Sequence, residues 1–297
     1  MRKKKISIIG SGVVGAATGE GFYKLGHDVS FYDVMRSKLL ALREKGYRVE
    51  ENMNDIISKT DISFICVGAS TDEDGKQDLS QLISVLHKIA EAIKDPNNYH
   101  LFVFRTSLLP GTTRNLIIHY LENNSSAKRG KDYDVIYNPE FLRQDTALRD
   151  FIKPDRVIIG EDNGRPNSSS HVLEEMYQPI TRHVITTTYE AAELIKYASN
   201  CFLSLKISFF NEIGLICKKI GVDDKIVNLA VALDNRIGNY GTDAGRPFGG
   251  ACLPKDTKAF AAFIKEINVE PDLLQATLEI NKKLSYEPPY HTLKNFA

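Results

Sequence analysis

Short apolar runs, rich in β-branched and aromatic residues, recur through the first half of the chain and alternate with helix-length polar or amphipathic stretches. Runs of this kind are typical of buried strands. Their alternation with helices predicts βα units, which pack as a parallel sheet covered by helices on both faces. The runs that we interpret as strands are "ISIIG", "DVSFYD", "DISFICVG", "HLFVFRT", "DYDVIYN" and "DRVIIG".

The pattern changes after "TRHVITTT". From Tyr189 to about Ile220, apolar residues recur at helical spacing, and Gly221 is placed to end this helix as a C-cap. The later stretches "DDKIVNLAVALD", "KDTKAFAAFIKEI" and "PDLLQATLEINKKL" also have helical patterns. The sequence therefore predicts an α/β domain over 1–188 and an all-helical domain over 189–297.

The composition is that of a globular protein with balanced charge. Hydrophobic residues make up 42% of the 297 residues, and 38 basic side chains balance 38 acidic ones. This balance favours neither a nucleic acid nor an anionic membrane as a partner. The chain lacks an uncharged apolar stretch of about 18 residues, and no signal-peptide core follows its basic start. We therefore expect a cytoplasmic protein that binds neither membrane nor nucleic acid.

The four cysteines lie far apart, without a CxxC pair, and the seven histidines show no metal-ligand spacing. Neither a metal site nor a disulfide framework is expected. Cys66, Cys201 and Cys217 have apolar neighbours, which predicts buried and inert thiols. Cys252 alone has polar and flexible neighbours.

A glycine motif follows the first predicted strand directly and precedes a helix. Gly10, Gly12 and Gly15 form a GxGxxG pattern, with Val13 and Val14 between the last two glycines. In this context the glycines allow a tight turn, close approach of a pyrophosphate and packing of the helix on the sheet. The alternative is a glycine turn that serves only packing. We expect a dinucleotide, with its phosphates at the helix N-terminus.

The end of the second strand predicts which dinucleotide binds. Asp33 stands where a carboxylate would bind both ribose hydroxyls and repel the 2′-phosphate of NADP, which favours NAD. Arg36 weakens this preference for NAD over NADP, because a guanidinium there could bind a phosphate.

The stretch "RPFGGACLPKD" (residues 246–256) raises the question of what its thiol does. Pro254 is suited to a first helical turn, which places Cys252 just outside a helix N-terminus. The partial charge of that terminus and the nearby Lys255 would favour the thiolate. The alternative is a glycine-rich turn with a chance cysteine. A dinucleotide site together with a nucleophilic cysteine suits oxidation of an aldehyde to an acid, because thiolate addition creates an adduct from which hydride can leave.

At this point the chain resembles a known family, the UDP-glucose/GDP-mannose dehydrogenases. The motifs that carry the resemblance are "IIGSGVVG", "STDEDG", "LLPGTT", "YNPEFLRQDTALRDFIKPDRVIIG", "AAELIKYASNCFLSLKISFFNEI", "DNRIG" and "FGGACLPKDT". The resemblance implies an N-terminal Rossmann-like doubly wound parallel sheet, followed by an all-helical central and dimerisation domain. It also implies oxidation of a nucleotide sugar's primary alcohol to a carboxylate with two NAD⁺.

The resemblance implies a role for each matching residue. Cys252 would form a thiohemiacetal and then a thioester, while Lys196 and Asn200, one helical turn apart, would share the developing oxyanion. Asp256 would position or deprotonate water, and Glu140 matches the acidic residue of the family's NPEF element. Thr71 and Ser107 would lie in loops beside the nicotinamide, with Ser107 also catalytic. The remaining implied substrate-binding residues are Phe141, Leu142, Arg143, Arg236 (across a dimer interface), Tyr240, Phe248, Gly249 and Gly250.

Three departures from the family are visible. Gln144 stands where the family usually has a glutamate, "GAST" replaces a proline-rich loop, and the chain stops where the family continues into a second Rossmann-like domain. We therefore expect a short form that binds NAD normally and UDP-sugars weakly, and that dimerises through the apolar surface of its long helix. Two other functions stay open: an NAD-binding relative with weak or no turnover, and a two-electron dehydrogenase of the hydroxyacid type.

Overall fold

The computed structural model describes residues 3–93 and 98–286 and separates them into two compact units. The first unit contains the described residues up to Ala69 together with Asp78–Lys196, and the second contains Ser70–Gln77 and the described residues from Tyr197 onward. The predicted boundary at 188/189 is therefore displaced by eight residues, and a short inner segment changes unit. The reason is that the first turns of the long helix hydrogen-bond to groups of the first unit.

The main sheet of the first unit has eight strands in the order β10-β9-β8-β7-β4-β1-β2-β3. Neighbouring strands pair in parallel except β8 and β9, which are antiparallel, so the sheet is mixed and not wholly parallel as expected. The strands are β1 (Lys5–Ile9), β2 (Asp28–Tyr32), β3 (Arg48–Val49), β4 (Ile62–Ile65), β5 (Ser70–Thr71), β6 (Gln77–Asp78), β7 (His100–Phe104), β8 (Tyr133–Tyr137), β9 (Val157–Glu161) and β10 (Val184–Thr188).

Every strand predicted from an apolar run is present. The strands that were not predicted are β3, β5 and β6, of two residues each, and the edge strand β10. Two residues are too few for a periodic signal, and the threonine-rich β10 lacks the apolar run of a central strand.

Eleven α-helices are present among the described residues. A π-helical turn at Thr113–Ile118 precedes α5, and a 3₁₀ turn at Gln144–Thr146 precedes α6. The helices are α1 (Val13–Lys24), α2 (Arg36–Glu44), α3 (Met53–Ser58), α4 (Ser80–Ala92), α5 (His119–Asn124), α6 (Ala147–Ile152), α7 (Ser168–Tyr177), α8 (Tyr189–Ile220), α9 (Asp224–Ala232), α10 (Leu253–Glu266) and α11 (Asp272–Tyr286).

Two buried apolar clusters cover the two faces of the sheet. In β1, Ile6 and Ile8 belong to one cluster and Ile9 to the other, as the two-residue period of a strand requires. In β7, Val103 and Phe104 divide in the same way. This arrangement confirms the predicted doubly wound α/β class. The predicted site residues Gly10, Asp33, Ser107 and Glu140 follow the carboxyl ends of β1, β2, β7 and β8.

Every element of the described residues after β10 is a helix, as expected for the helical domain. The second unit also includes Ser70–Gln77, which forms most of the two-stranded ribbon β5–β6. The ribbon turns at Gly75 (φ +91°), and a Cβ there would lie 2.7 Å from Cβ of Ala262 in α10. Such close packing needs glycine. Gly221 has φ +75° and follows the last residue of α8, as predicted for a C-cap.

Helix α8 is long and apolar enough to cross a membrane by length and composition, which the sequence scan did not predict. Its buried polar side chains nevertheless all form hydrogen bonds within their own unit. This pattern is that of a core helix in a globular protein. The side chains concerned are Glu193, Lys196, Asn200, Ser204, Ser208 and Asn211.

Candidate active site

The glycine loop has the geometry that the motif predicts. Gly10 has φ +91°, and a Cβ on Gly15 would lie 1.8 Å from the Gly10 carbonyl oxygen. Gly12, the N-cap of α1, has no atom within 4 Å of the position of an added Cβ. Gly10 and Gly15 therefore serve the turn and the packing of α1, whereas Gly12 leaves open space beside a helix N-terminus. Val13 and Val14 form the first turn of α1, and this cradle fits a pyrophosphate.

Asp33 follows β2 directly and is buried. Its Oδ2 accepts hydrogen bonds from the Ser11 N–H (2.7 Å) and hydroxyl (2.9 Å), and its Oδ1 accepts one from the Met35 N–H (2.9 Å). Burial acts to raise the pKa of Asp33, but the hydrogen bonds from Met35 and Ser11 and the Lys38 charge outweigh it and lower the pKa. The carboxyl is therefore ionised, as binding of ribose hydroxyls requires. Arg36 opens α2 and is exposed.

Sequence reasoning missed Ser11 and Lys38. The ammonium of Lys38 lies 3.3 Å from Asp33 Oδ2, so a cation stands beside the carboxylate that was expected to exclude NADP. Both residues could have been predicted from the sequence, because Ser11 lies inside the glycine motif and Lys38 lies five residues after Asp33, in the first turn of α2.

Glu140 and Lys196 form a buried ion pair in the first unit. The Lys196 ammonium donates to Glu140 Oε1 (2.9 Å) and to the Glu140 carbonyl oxygen (2.7 Å), and Glu140 Oε2 accepts from the Leu142 N–H (2.6 Å). Burial acts to raise the pKa of Glu140, but the Lys196 charge and the Leu142 hydrogen bond lower it. Two residues 56 positions apart in the sequence are thus held together by this ion pair.

Cationic side chains contact or belong to the segment after Glu140. The Phe141 ring contacts the Arg156 guanidinium, 4.0 Å from the ring centroid, and the Lys196 ammonium, 5.4 Å from it. The exposed Arg143 donates to Asp150 through Nε (3.0 Å) and Nη2 (2.6 Å), which lowers the pKa of Asp150 to about 2. Leu142 packs on an apolar cluster of the sheet, and Gln144 is exposed at the start of the 3₁₀ turn.

Ser107 lies on the loop after β7. The preceding residue, Thr106, donates its hydroxyl to the Val67 carbonyl oxygen (2.7 Å). At the other end of this loop, Gly111 and Thr113 donate to the carboxylate of Glu193, a further residue that sequence reasoning missed. Burial raises the pKa of Glu193 to about 7.

Cys252 is the N-cap of α10 and is exposed, while Pro254 is the second helical residue. This confirms the predicted helix start beside the thiol. Asp256, fully buried, accepts from Asn200 Nδ2 (2.6 Å) and forms a close ion pair with Lys255. Lys255 therefore pairs with Asp256, whereas the sequence predicted that its charge would favour the thiolate of Cys252.

The other three cysteines differ from Cys252. Cys201 and Cys217 are buried and Cys66 is partly buried. Burial raises the pKa of the Cys66 thiol and of the Cys201 thiol to about 12, which makes both inert. Within the described ranges, no group of three histidine, cysteine, aspartate or glutamate side chains could hold a metal ion.

The remaining predicted residues lie in the second unit. The Thr71 hydroxyl is buried in β5 and has no hydrogen-bond partner among the described residues. The side chain of Arg236 is 88% exposed and forms an ion pair with Asp234, two positions earlier. Phe248 is buried, with its N–H donating to Asn281 Oδ1 (2.6 Å). The exposed members of the set are Tyr240, Gly249 and Gly250.

A glycine cradle at a helix N-terminus, an ionised carboxylate after β2 and a helical second unit with an exposed thiol define a dinucleotide-dependent dehydrogenase. Comparison with known proteins identifies the family. Residues 40–181 match the NAD-binding domain, and residues 190–283 the central domain, of the UDP-glucose/GDP-mannose dehydrogenase family. The chain belongs to this family, and its cofactor is NAD.

Individual relatives agree with this assignment. The chain is 34% identical to the UDP-glucose 6-dehydrogenase AglM of Haloferax volcanii, over 93% of this chain and 69% of that protein. The structure of a UDP-glucose dehydrogenase from Pyrobaculum islandicum matches with a TM-score of 0.86 and 35% identity, over 95% of this chain and 68% of that one. A ternary complex of GDP-mannose dehydrogenase from Pseudomonas aeruginosa matches with a TM-score of 0.73 and 33% identity, over 94% and 69%.

Proposed function

We propose that this enzyme oxidises the primary alcohol of a nucleotide sugar of the UDP-glucose type to a carboxylate. The reaction converts R–CH₂OH, water and two NAD⁺ into R–COO⁻, two NADH and three protons. The observation that carries the proposal is the exposed Cys252 thiol at the N-terminus of α10, one helical turn from the buried Asp256. NAD, when bound at the Gly10–Gly15 loop, supplies the hydride acceptor.

In this proposal Cys252 forms the covalent intermediates. Its thiolate adds to the aldehyde carbon, a C–S bond forms, and the carbonyl oxygen takes up a proton to give a thiohemiacetal. Loss of hydride from that carbon, together with loss of the proton of its hydroxyl group, leaves a thioester. Water then adds, the C–S bond breaks, and the carboxylate and the thiol are released. The partial positive charge at the N-terminus of α10 favours the thiolate needed for the first addition.

Lys196 and Asn200 would stabilise the oxyanions of these steps. They lie one turn apart on α8, and each is already oriented by a buried carboxylate, Lys196 by Glu140 and Asn200 by Asp256. Hydrogen-bond donors that are already in place stabilise a developing negative charge effectively, because they do not have to reorient during the reaction.

The same two carboxylates are the candidates for activating water in the last step. Gln144, which replaces the family's usual glutamate, is an amide and cannot act as a general base. Glu140 and Asp256 each have both oxygens engaged in hydrogen bonds. We therefore propose that thioester hydrolysis is slower than the hydride transfers and that a thioester accumulates on Cys252.

The number of NADH formed per substrate tests the function. UDP-glucose and GDP-mannose should be compared as substrates, and the four-electron reaction yields two NADH. Cys252→Ala should abolish acid formation and leave NAD binding intact, because the thiol forms the adduct but takes no part in the dinucleotide site. Cys217→Ala, which removes a buried thiol near the end of α8, should keep the stoichiometry. Appreciable carboxylate from Cys252→Ala would refute the covalent route.

Two other functions predict different numbers of NADH per substrate. A two-electron dehydrogenase of the hydroxyacid type yields one NADH and has no use for the thiol, and a non-catalytic relative yields none. The retention of Cys252, Lys196, Asn200 and Asp256 together supports the enzyme, because a chain without turnover has no chemical reason to keep all four.

We also propose that the protein is a cytoplasmic homodimer assembled through the second unit. Large apolar side chains are exposed along α8 and α9, including Phe202 (62%), Ile226 (67%) and Leu229 (64%). An apolar surface of this kind is typical of an interface. None of the four cysteines is in a disulfide, which is consistent with a reducing compartment. Sedimentation equilibrium should show a dimer, and Phe202→Asp should produce a monomer.

A further inference from the structure

Glu193 in α8 is a fully buried carboxylate that has no part in the proposed mechanism. It accepts three hydrogen bonds: from the Gly111 N–H (2.6 Å), the Thr113 N–H (2.7 Å) and the Thr113 hydroxyl (2.6 Å). It forms no ion pair with any lysine or arginine of the described part of the chain. A buried carboxylate without a cation is costly, so its donors must hold it firmly.

Those donors belong to the loop that carries Ser107. The loop leaves β7 with the Arg105 N–H bonded to the Ile65 carbonyl oxygen (2.9 Å) and the Thr106 hydroxyl bonded to the Val67 carbonyl oxygen (2.7 Å). At its far end, Glu193 holds Gly111 and Thr113. The loop is thus attached to the neighbouring strand at one end and to α8 at the other, with Ser107 between the two attachments.

Lys196 lies three residues after Glu193 on the same helix and holds Glu140. The first turns of α8 therefore attach two segments of the first unit, the Ser107 loop and the segment after β8. We propose that Glu193 is a positioning residue of this enzyme, which holds the loop 106–113 so that Ser107 keeps its place during hydride transfer. The inference rests on the proposed function and on the place of Ser107 in its active site, which the resemblance to the family implies.

Glu193→Gln gives the sharpest test. The amide has nearly the same shape but presents an NH₂ group where one oxygen accepted a hydrogen bond, so at least one loop N–H loses its acceptor. Glu190→Gln is the matched control: Glu190 lies one turn earlier on α8 and is partly exposed, and it pairs with the Arg114 side chain and not with the loop backbone.

The first measurement is hydrogen–deuterium exchange over residues 106–113. We expect exchange at least ten-fold faster in Glu193→Gln and unchanged in Glu190→Gln. Unchanged exchange in Glu193→Gln would overturn the inference. This measurement does not need turnover, so it still decides whether Glu193 holds the loop if the protein forms no NADH and the proposed function fails.

The second measurement is a double-mutant cycle with Ser107→Ala. Glu193→Gln should lower kcat at least ten-fold and change the KM for NAD less than three-fold, and it should cause no further loss in the Ser107→Ala background, because it acts through Ser107. An equal loss in both backgrounds, or full kcat in Ser107→Ala, would overturn the inference. If Glu193→Gln fails to fold, Thr113→Val, which removes one donor, should lower kcat in the same direction, and Thr113→Ser should restore it.

Discussion

Two alanine substitutions in the glycine loop separate packing from cofactor binding. In Gly15→Ala the new Cβ would lie 1.8 Å from the Gly10 carbonyl oxygen and 3.0 Å from its carbon. Both are backbone atoms, so no side chain can rotate away, and either α1 or the turn must move by about 1 Å or more. Overpacking of this kind costs about 3 kcal/mol. The variant should bind NAD poorly because the cradle itself is distorted.

Gly12→Ala should behave in the opposite way. No atom lies within 4 Å of the added Cβ, and Gly12 has φ −66°, which alanine also adopts. Alanine is a poorer N-cap residue than glycine, and this replacement costs about 0.5 kcal/mol. The methyl group would, however, occupy the space through which a pyrophosphate approaches α1. We expect NAD affinity to fall about ten-fold or more, which corresponds to about 1.4 kcal/mol of binding free energy.

Urea denaturation and calorimetry with NAD distinguish the two effects. With a slope of about 2 kcal/mol per molar urea, the unfolding midpoint of Gly15→Ala should fall by about 1.5 M, and that of Gly12→Ala should stay within about 0.3 M of the unchanged protein. An unchanged midpoint for Gly15→Ala would refute the packing argument. Unchanged NAD affinity in a folded Gly12→Ala would show that the pyrophosphate does not lie at Gly12.

Three further predictions concern the cofactor, pH and the last step. Asp33→Ala should relax the preference for NAD, so the ratio of kcat/KM for NAD to that for NADP should fall; equal use of both by the unchanged protein would contradict the role of Asp33. Burial lowers the pKa of His100 from 6.5 to about 4, so the folded state binds fewer protons than the unfolded state, and its contribution to stability is complete above pH 6.5 and lost as the pH falls toward 4. The contribution of His100 to the free energy of unfolding should therefore be about 2 kcal/mol smaller at pH 5 than at pH 8, and urea titrations at the two pH values should show this difference between the unchanged protein and His100→Gln. Intact-protein mass spectrometry should show an adduct on Cys252 of the unchanged protein during turnover, and Gln144→Glu should remove it; if the unchanged protein shows no adduct while acid forms rapidly, another base hydrolyses the thioester.

Local features of the molecule could be predicted from the sequence. The glycine loop, the carboxylate after β2, the end of α8 before Gly221 and the start of α10 beside Pro254 all depend on residues a few positions apart. Backbone sterics and helix-end hydrogen bonding act over that range, so the pattern of residue types is sufficient. The class of fold followed for the same reason, because alternating periodicities determine which faces must be buried.

Tertiary structure alone decided the direction of β9 and β10, the true boundary of the units and the partners of the charged residues. Lys196 meets Glu140, and Asn200 meets Asp256, each across 56 positions, and no local spacing encodes those pairs. Lys255 pairs with Asp256 although helix-end electrostatics pointed to Cys252. In the sequence, Glu193 is one of several polar residues in a long helix. Its burial against the loop that carries Ser107 follows only from the packing. Burial removes water from these groups, so the charge or donor that packing supplies determines what each of them can do.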